Sequence, residues 1–365
     1  MKVLVTGHSG YIGMVLTRML LEAGHDVVGI DTDLYSKCTF GRDSGTPLPS
    51  MVHDIREMTA AQLRPFDAIA HLAGVCNDPL GDLLPETTFA INERATIRLA
   101  ELAIQAGVRR FVFSSTCSVY GAALQDWVDE ASPANPVTPY GSSKYQAERG
   151  LLALATDDFS PVLLRSATAY GFSPRIRFDL VLNNLVAYAF TSQRVFLKSD
   201  GMAWRPIVHI EDISRAFLAA LEAPRETVHK QIFNVGITTE NYRVREIAEI
   251  VRNTVTGSSV TYAEGAGPDK RSYRVDCSKI AKLLPKFRPQ WTAAAGAREL
   301  YARYSEFGLR PEDFEGERYQ RLAYLKALLE KGYLDTAPRW LPPSQIWREA
   351  DAEGIAAEPL VAAAQ

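Results

Sequence analysis

A strand, a glycine-rich turn and a helix open the chain, and they constrain its fold more than any other feature. Lys2-Val3-Leu4-Val5 reads as a buried strand. Thr6-Gly7-His8-Ser9-Gly10-Tyr11-Ile12-Gly13 follows, and Val15, Leu16, Met19 and Leu20 then recur at helical spacing. A T-G-x-x-G-x-x-G turn between strand and helix lets the backbone reverse tightly and approach a pyrophosphate. The helix start adds N–H donors and the positive end of its dipole. The turn makes Gly7, Ser9, Gly10, Tyr11, Ile12 and Gly13 candidate dinucleotide contacts.

The alternation continues. Strands are expected at 2–6, 26–31, 67–72, 110–115 and 161–165, and helices near 12–23, 86–106 and 140–155. That order predicts an α/β fold with a doubly wound parallel sheet. Asp31 ends the second strand. An acid there accepts both hydroxyls of an adenosine ribose and repels a 2′-phosphate, which favours NAD over NADP. After residue 170 the pattern loosens into a smaller mixed α/β lobe. It has helices near 178–191, 211–221 and 244–255, a short apolar stretch at Val195-Phe196-Leu197, a segment Pro206-Ile207-Val208-His209-Ile210 leading into the second of those helices, and another strand at 231–237. Residues 296–335 carry Leu, Tyr, Glu, Lys and Arg at helical spacing and predict two further helices. The division expected is 1–170 for the dinucleotide domain and 171–295 for a substrate lobe with some segments returning to the sheet. A helical extension over 296–345 follows, and 351–365 form a weakly ordered tail.

Bulk properties narrow the class. With 365 residues, 47% of them hydrophobic, the chain can bury one large core or two lobes sharing a cleft. A formal charge of -3 without a basic patch argues against a nucleic-acid partner. No apolar run is long enough to span a bilayer, and a strand beginning at residue 2 leaves no room for a signal peptide. Cys38, Cys76, Cys117 and Cys277 are widely spaced and read as reduced thiols, which suits a cytoplasmic protein. The histidines form no ligand cluster, so no metal is expected.

Tyr140-Gly141-Ser142-Ser143-Lys144 carries the chemistry. Tyr140 and Lys144, four apart, share one helix face, and Pro139 suits a helix start. An ammonium near a phenol favours the phenolate and makes a general base. The segment Arg110 to Gly121 is a strand ending in a polar cluster, Ser114-Ser115-Thr116-Cys117-Ser118. The motifs run in order: Thr6 to Gly13, Asp31, Asp54-Ile55-Arg56, His71-Leu72-Ala73-Gly74, Asn92, Ser114 to Gly121, Pro139 to Lys144, Ala147-Glu148. In this the chain resembles the extended short-chain dehydrogenase/reductase family, in its nucleotide-sugar epimerase/dehydratase branch, over roughly residues 1–285.

The resemblance implies a Rossmann-type domain that binds NAD. It places Asp54 and Ile55 at the adenine, and Leu72, Ala73, Gly74, Asn92 and Ser114 along the cofactor. Lys144 falls at the nicotinamide ribose, and Thr116, Tyr140 and Lys144 form the catalytic set. It places the sugar nucleotide against Cys76, Asn77, Thr116, Cys117, Ser118, Thr168, Asn183, Asn184, Val195 and Phe196. Arg205 and Arg271, or Arg274, are the diphosphate clamps, since guanidinium groups offer paired donors in a plane. It also implies a homodimer through a four-helix bundle of the helices at 86–106 and 140–155.

Two departures from the family pattern set the reaction. Relatives that eliminate water or carbon dioxide usually carry an acid just after the Ser/Thr, where this chain has Cys117-Ser118. Thr168 replaces an Asn that often touches the substrate phosphate. Asn77 and Asp78 stand near the sugar as an alternative acid/base, and Arg175 and Arg177 as readers of an anionic substituent. The leading expectation is an NAD-dependent nucleotide-sugar epimerase that inverts C4 through a transient 4-keto sugar. The alternatives are a 4-ketoreductase or dehydrogenase, a dehydratase or decarboxylase, and a non-catalytic NAD-binding sensor.

Overall fold

The computed structural model describes residues 1–41, 47–123, 125–267 and 272–342. Seven strands form one sheet: β1 Lys2–Thr6, β2 Asp26–Asp31, β3 Ser50–Val52, β4 Ala68–His71, β5 Arg110–Thr116, β6 Ser160–Ser166 and β7 Gln231–Val235. They lie in the order β7-β6-β5-β4-β1-β2-β3, and every pairing is parallel. The strand order reverses between β1 and β4. The crevice beyond the carboxyl ends of those strands is therefore where this topology receives a ligand.

The longer helices are α1 Gly13–Glu22, α2 Thr96–Ala106, α3 Pro139–Ala153, α4 Val181–Ser192, α5 Ile210–Glu222, α6 Val244–Thr254, α7 Ala293–Phe307 and α8 Arg321–Glu330. Strand alternation divides the core. Val3 and Val5 face Leu16 and Leu20 of α1 and Phe217 and Ala220 of α5. Leu4, Ile69, Phe111 and Leu163 face Leu99 and Ala103 of α2 and Ala147 and Leu151 of α3. With both faces covered, the middle strands have no solvated side, and every residue of β4 and β6 is buried.

A second core joins α4, α6 and α7 around Leu182, Val186, Ile247, Val251, Leu300 and Tyr304. Burying Leu300 alone is worth about 1.5–3 kcal/mol. Small sheets flank this core: Thr168–Tyr170 with Trp204–His209 and Asn241–Arg243, and Arg194–Leu197 with Ser259–Tyr262. His209 accepts the task of fixing α7, with its Nε2 2.9 Å from the Glu299 carboxylate and its ring stacked on Trp291. Tyr11 of the glycine-rich turn donates its hydroxyl to the Gly171 carbonyl at 2.6 Å, tying this lobe to the main sheet.

Some elements differ from the sequence reading. The expected helix at 86–106 is Pro85–Phe89, a wider π turn over Ala90–Ala95, and then α2. The two helices expected in 296–335 are α7, which begins earlier, a single turn Pro311–Glu315, and α8. β3 gave no sequence signal because it is a three-residue edge strand with no buried residue. The expected weakly ordered tail at 351–365 lies outside the described residues.

Candidate active site

One cleft of about 1190 Å³ runs across the carboxyl end of the sheet into the second lobe. At its first arm, Gly7 has φ +76°, and a Cβ there would lie 2.7 Å from the Ala73 backbone nitrogen. A Cβ on Gly13 would collide with the Gly7 carbonyl. This backbone-lined cradle fits a dinucleotide pyrophosphate. Gly7, Ser9, Gly10, Tyr11, Ile12, Gly13, Asp31, Asp54, Ile55, Leu72, Ala73, Gly74 and Ser114 all line the cleft. The Asp31 carboxylate accepts from Ser9 N at 3.2 Å and Asp33 N at 3.0 Å, which aims it across the turn. Asp54 caps a short 3₁₀ turn and is chelated by the Arg56 guanidinium. Asn92 differs from its expected place. Fully buried in the π turn, it bonds Val75 N at 2.8 Å and Val75 O at 2.9 Å. It holds the loop after β4 instead of lining the cleft.

The catalytic candidates meet where β5 ends. Thr116 closes the strand, and Thr138 caps α3 by accepting from Gly141 N at 3.1 Å. Thr116, Tyr140 and Lys144 all line the cleft. Burial pushes the Tyr140 hydroxyl above the ordinary phenol range, while its hydrogen bond with Thr116 and the Arg177 charge pull the other way. Thr116 Oγ also accepts from Ser118 N at 3.1 Å, so the side chain serves both the local turn and the phenol. Lys144 is 4% exposed and donates from Nζ to Ser114 O at 2.9 Å, above the Phe113 ring. Burial lowers its ammonium to about 8. The lysine expected to lower the tyrosine is thus anchored to β5, and desolvation governs the phenol. Beneath α3, Glu148 and Arg165 form a buried ion pair at 2.7 Å, with Ser115 Oγ donating to the same carboxylate.

The second arm is lined by Cys76, Asn77, Ser118, Thr168, Asn184, Phe196 and Arg205, among others. Asn183 is fully buried behind it, bonded to Gly171 N, Tyr11 Oη and Arg177 O. Neighbours on a helix point about 100° apart, so only Asn184 reaches the cleft. Val195 is likewise fully buried, and strand alternation presents Phe196 instead. Cys117 also lines the cleft, but it is 2% exposed and its thiol donates to Arg165 O. Arg271 lies outside the described residues. Arg274 pairs with Asp126 at 3.2 Å and lies over Trp127 and Trp204, away from the cleft.

Three features escaped the sequence reading. Thr6 Oγ1 and Thr96 Oγ1 lie 2.6 and 2.8 Å from the two ring nitrogens of buried His71, a bridge that fixes β1 and β4 beneath the turn. Burial holds that imidazole down to about 3, so it is neutral. Asp179 stands on the cleft wall, paired with Arg177 at 2.6 Å and accepting from Asn77 Nδ2 at 2.8 Å. Burial opposes its ionisation, but the Arg177 guanidinium prevails and holds the carboxyl down to about 2. Arg177 is thereby neutralised. Arg175 is spent on backbone, with Nε donating to Ser9 O at 3.1 Å. Asp78 accepts from Thr138 Oγ1 at 2.7 Å and so supports the cap of α3. Finally, Phe314, Gln320, Arg321, Leu325 and Pro338 bring the C-terminal segment into the cleft wall. That segment gave no sequence signal beyond its helical periodicity.

A cradle at the β1–α1 turn, an acid ending β2 and a Tyr/Lys pair beside the end of β5 define an enzyme that uses a dinucleotide. The chain belongs to the NAD dependent epimerase/dehydratase family, whose model matches residues 3–236. It is 29% identical to UDP-glucose 4-epimerase of Mus musculus over 334 residues, covering 81% of this chain and 93% of that protein. A solved structure of MoeE5 with UDP-glucuronic acid and NAD superposes with a TM-score of 0.72 at 27% identity, over 84% of this chain and 99% of that one. TunA, described as an NAD dependent NDP-hexosamine 5,6-dehydratase, shares the fold with a TM-score of 0.75 at 23% identity, over 84% of this chain and 98% of that one. NAD is the cofactor of this enzyme.

Proposed function

We propose that this enzyme inverts C4 of a nucleotide sugar. The observation that carries the reading is the pairing of a complete Thr116–Tyr140–Lys144 set with a cleft whose nearby acids are already engaged. Loss of water needs a proton donor at the leaving hydroxyl on the sugar's outer carbon. Asp179 stays ionised between Arg177 and Asn77, and Asp78 is bonded to Thr138. Similarity to UDP-glucose 4-epimerase supports the same reading.

In this mechanism Tyr140 would act as the phenolate, favoured over the buried phenol by the positive charge that bound NAD would add beside Lys144, and would take the proton of the sugar's 4-hydroxyl and later return it. Thr116 orders the phenol and the sugar oxygen through its hydroxyl. Lys144, fixed on Ser114 O, supplies positive charge beside Gly74, where a cofactor ribose would lie. NAD, when bound, supplies the hydride acceptor and donor at C4. Asn184, Phe196 and Arg205 hold the nucleotide end while the keto sugar turns over. We also place a homodimer interface on the helices at 85–106 and 139–153, to be checked by light scattering.

Product NMR on a panel of UDP-, dTDP-, GDP- and CDP-hexoses tests the reading. Inversion at C4 without net NADH supports it. Loss of water, or stoichiometric NADH, replaces it with a dehydratase or a dehydrogenase on the same site.

A further inference from the structure

After Phe314, which packs on Phe178 and Tyr188 of the second lobe, the described residues from Arg318 onward lie along the cofactor half of the cleft. Arg318 Nε donates to Lys37 O at 2.7 Å, Tyr319 Oη to Thr39 O at 3.0 Å, and Trp340 Nε1 to Thr32 O at 2.7 Å. From the other side, Arg56 Nη1 donates to Ala337 O at 2.7 Å. Leu325 and Leu328 of α8 pack on Leu80, beside Leu34 and Val75. This strap ties together the loop after β2, the 3₁₀ turn after β3 and the loop after β4.

Arg321, the first residue of α8, is the unusual member. It lines the cleft and is only 3% exposed. Its guanidinium lies 4.0 Å from the Tyr35 ring centroid, donates from Nη2 to Arg175 O at 3.2 Å and hydrogen-bonds the Cys38 thiol. Nη1 is buried with no hydrogen-bond partner. Two other deeply buried arginines have counter-charges, Glu148 for Arg165 and Asp179 for Arg177, while Arg175 is satisfied by backbone and hydroxyl oxygens. Among the described residues no carboxylate pairs with Arg321, and its cationic neighbours Arg175 and Arg318 face the same Cys38. A buried cation without a counter-charge is costly, and an anion brought by a ligand removes that cost.

We propose that Arg321 is a diphosphate-binding residue, delivered to the cleft by the C-terminal strap. Guanidinium matches a phosphate oxygen pair in charge and geometry. The neighbouring Arg175 bonds Ser9 O of the glycine-rich turn, which places the group on the side of the cofactor pyrophosphate. The diphosphate of the sugar nucleotide is the other source of the same chemistry. The proposal rests on the dinucleotide-site reading above.

The test is equilibrium binding to the full chain, freed of co-purified nucleotide, with NAD, adenosine and UDP as probes. The variants are Arg321→Met and Arg321→Lys. R321M is expected to weaken NAD at least tenfold, leave adenosine unchanged and leave UDP unchanged. R321K, which keeps the charge, is expected to restore part of the loss and serves alone if R321M does not fold. Weakening of UDP with NAD intact keeps the residue's role and moves it to the substrate diphosphate. Unchanged binding of both NAD and UDP in a folded variant overturns the proposal, as does an equal loss for adenosine. Wild-type turnover is read alongside. NAD binding that depends on Arg321 without any epimerisation sinks the proposed reaction and leaves this inference standing. Epimerisation with binding independent of Arg321 does the reverse.

Discussion

Acid should loosen this fold through a single buried imidazole. His71 bridges Thr6 and Thr96 beneath the glycine-rich turn and is held down to about 3 by burial. An unfolded histidine titrates near ~6.5. Because the folded value lies lower, the unfolded chain binds more protons as pH falls below the unfolded value. Stability is therefore lost from about pH 6.5 downward, until the folded imidazole itself titrates. Linkage gives a loss of ~2 kcal/mol between pH 7 and pH 5 from this residue alone. The perturbation is His71→Gln, whose amide does not titrate and retains a donor and an acceptor for the two threonines. Urea denaturation of both proteins at pH 7 and pH 5 gives the comparison. The difference between the two pH values is read for each protein, so a constant destabilisation of the variant cancels. Wild type should lose ~2 kcal/mol more than H71Q over this interval. Equal losses would show that His71 titrates normally and that the bridge is not dry.

Other expectations concern the cleft. Tyr140→Phe should lower kcat by roughly 10²–10⁴-fold while NAD binding, read by calorimetry, stays intact, because the hydroxyl moves a proton and does not carry the pocket's shape. With Lys144 lowered by burial to about 8, its charge is present below that pH and lost above it. The pH profile of kcat/KM should fall as pH rises through about 8, and Lys144→Arg should move that limb upward. Gly7→Ala places a Cβ 2.7 Å from the Ala73 nitrogen at φ +76°. It should cost at least about 1–2 kcal/mol in urea unfolding and weaken NAD binding as the turn opens.

Much of this site was legible because its signals are local. The β1–α1 turn, Asp31 at a strand end and the Tyr140–Lys144 spacing are each local, and all three line one cleft. What was missed depends on contacts between distant segments. His71, Thr6 and Thr96 form a bridge that no single stretch discloses. Asp179 is removed as a free acid only by its engagement with Arg177 and Asn77. Asn183 and Asn184, and Val195 and Phe196, carry the same sequence signal as pairs. A helix and a strand each turn successive side chains apart, so one member of each pair went to the core. Asn92 does not line the cleft because, in a π turn, its amide bonds Val75 of the loop after β4. The strap lay beyond the stretch that resembles the family, and helical periodicity alone does not say where a helix docks.

The most direct test of the central claim is NMR of the products formed by NAD-loaded enzyme from a panel of nucleotide hexoses, with absorbance at the NADH band followed in the same tube. The account predicts one hexose whose C4 configuration is inverted to an equilibrium mixture, with no accumulation of NADH and none of this in Tyr140→Phe. A product lacking water or carbon dioxide, or NADH formed in step with turnover, would contradict it.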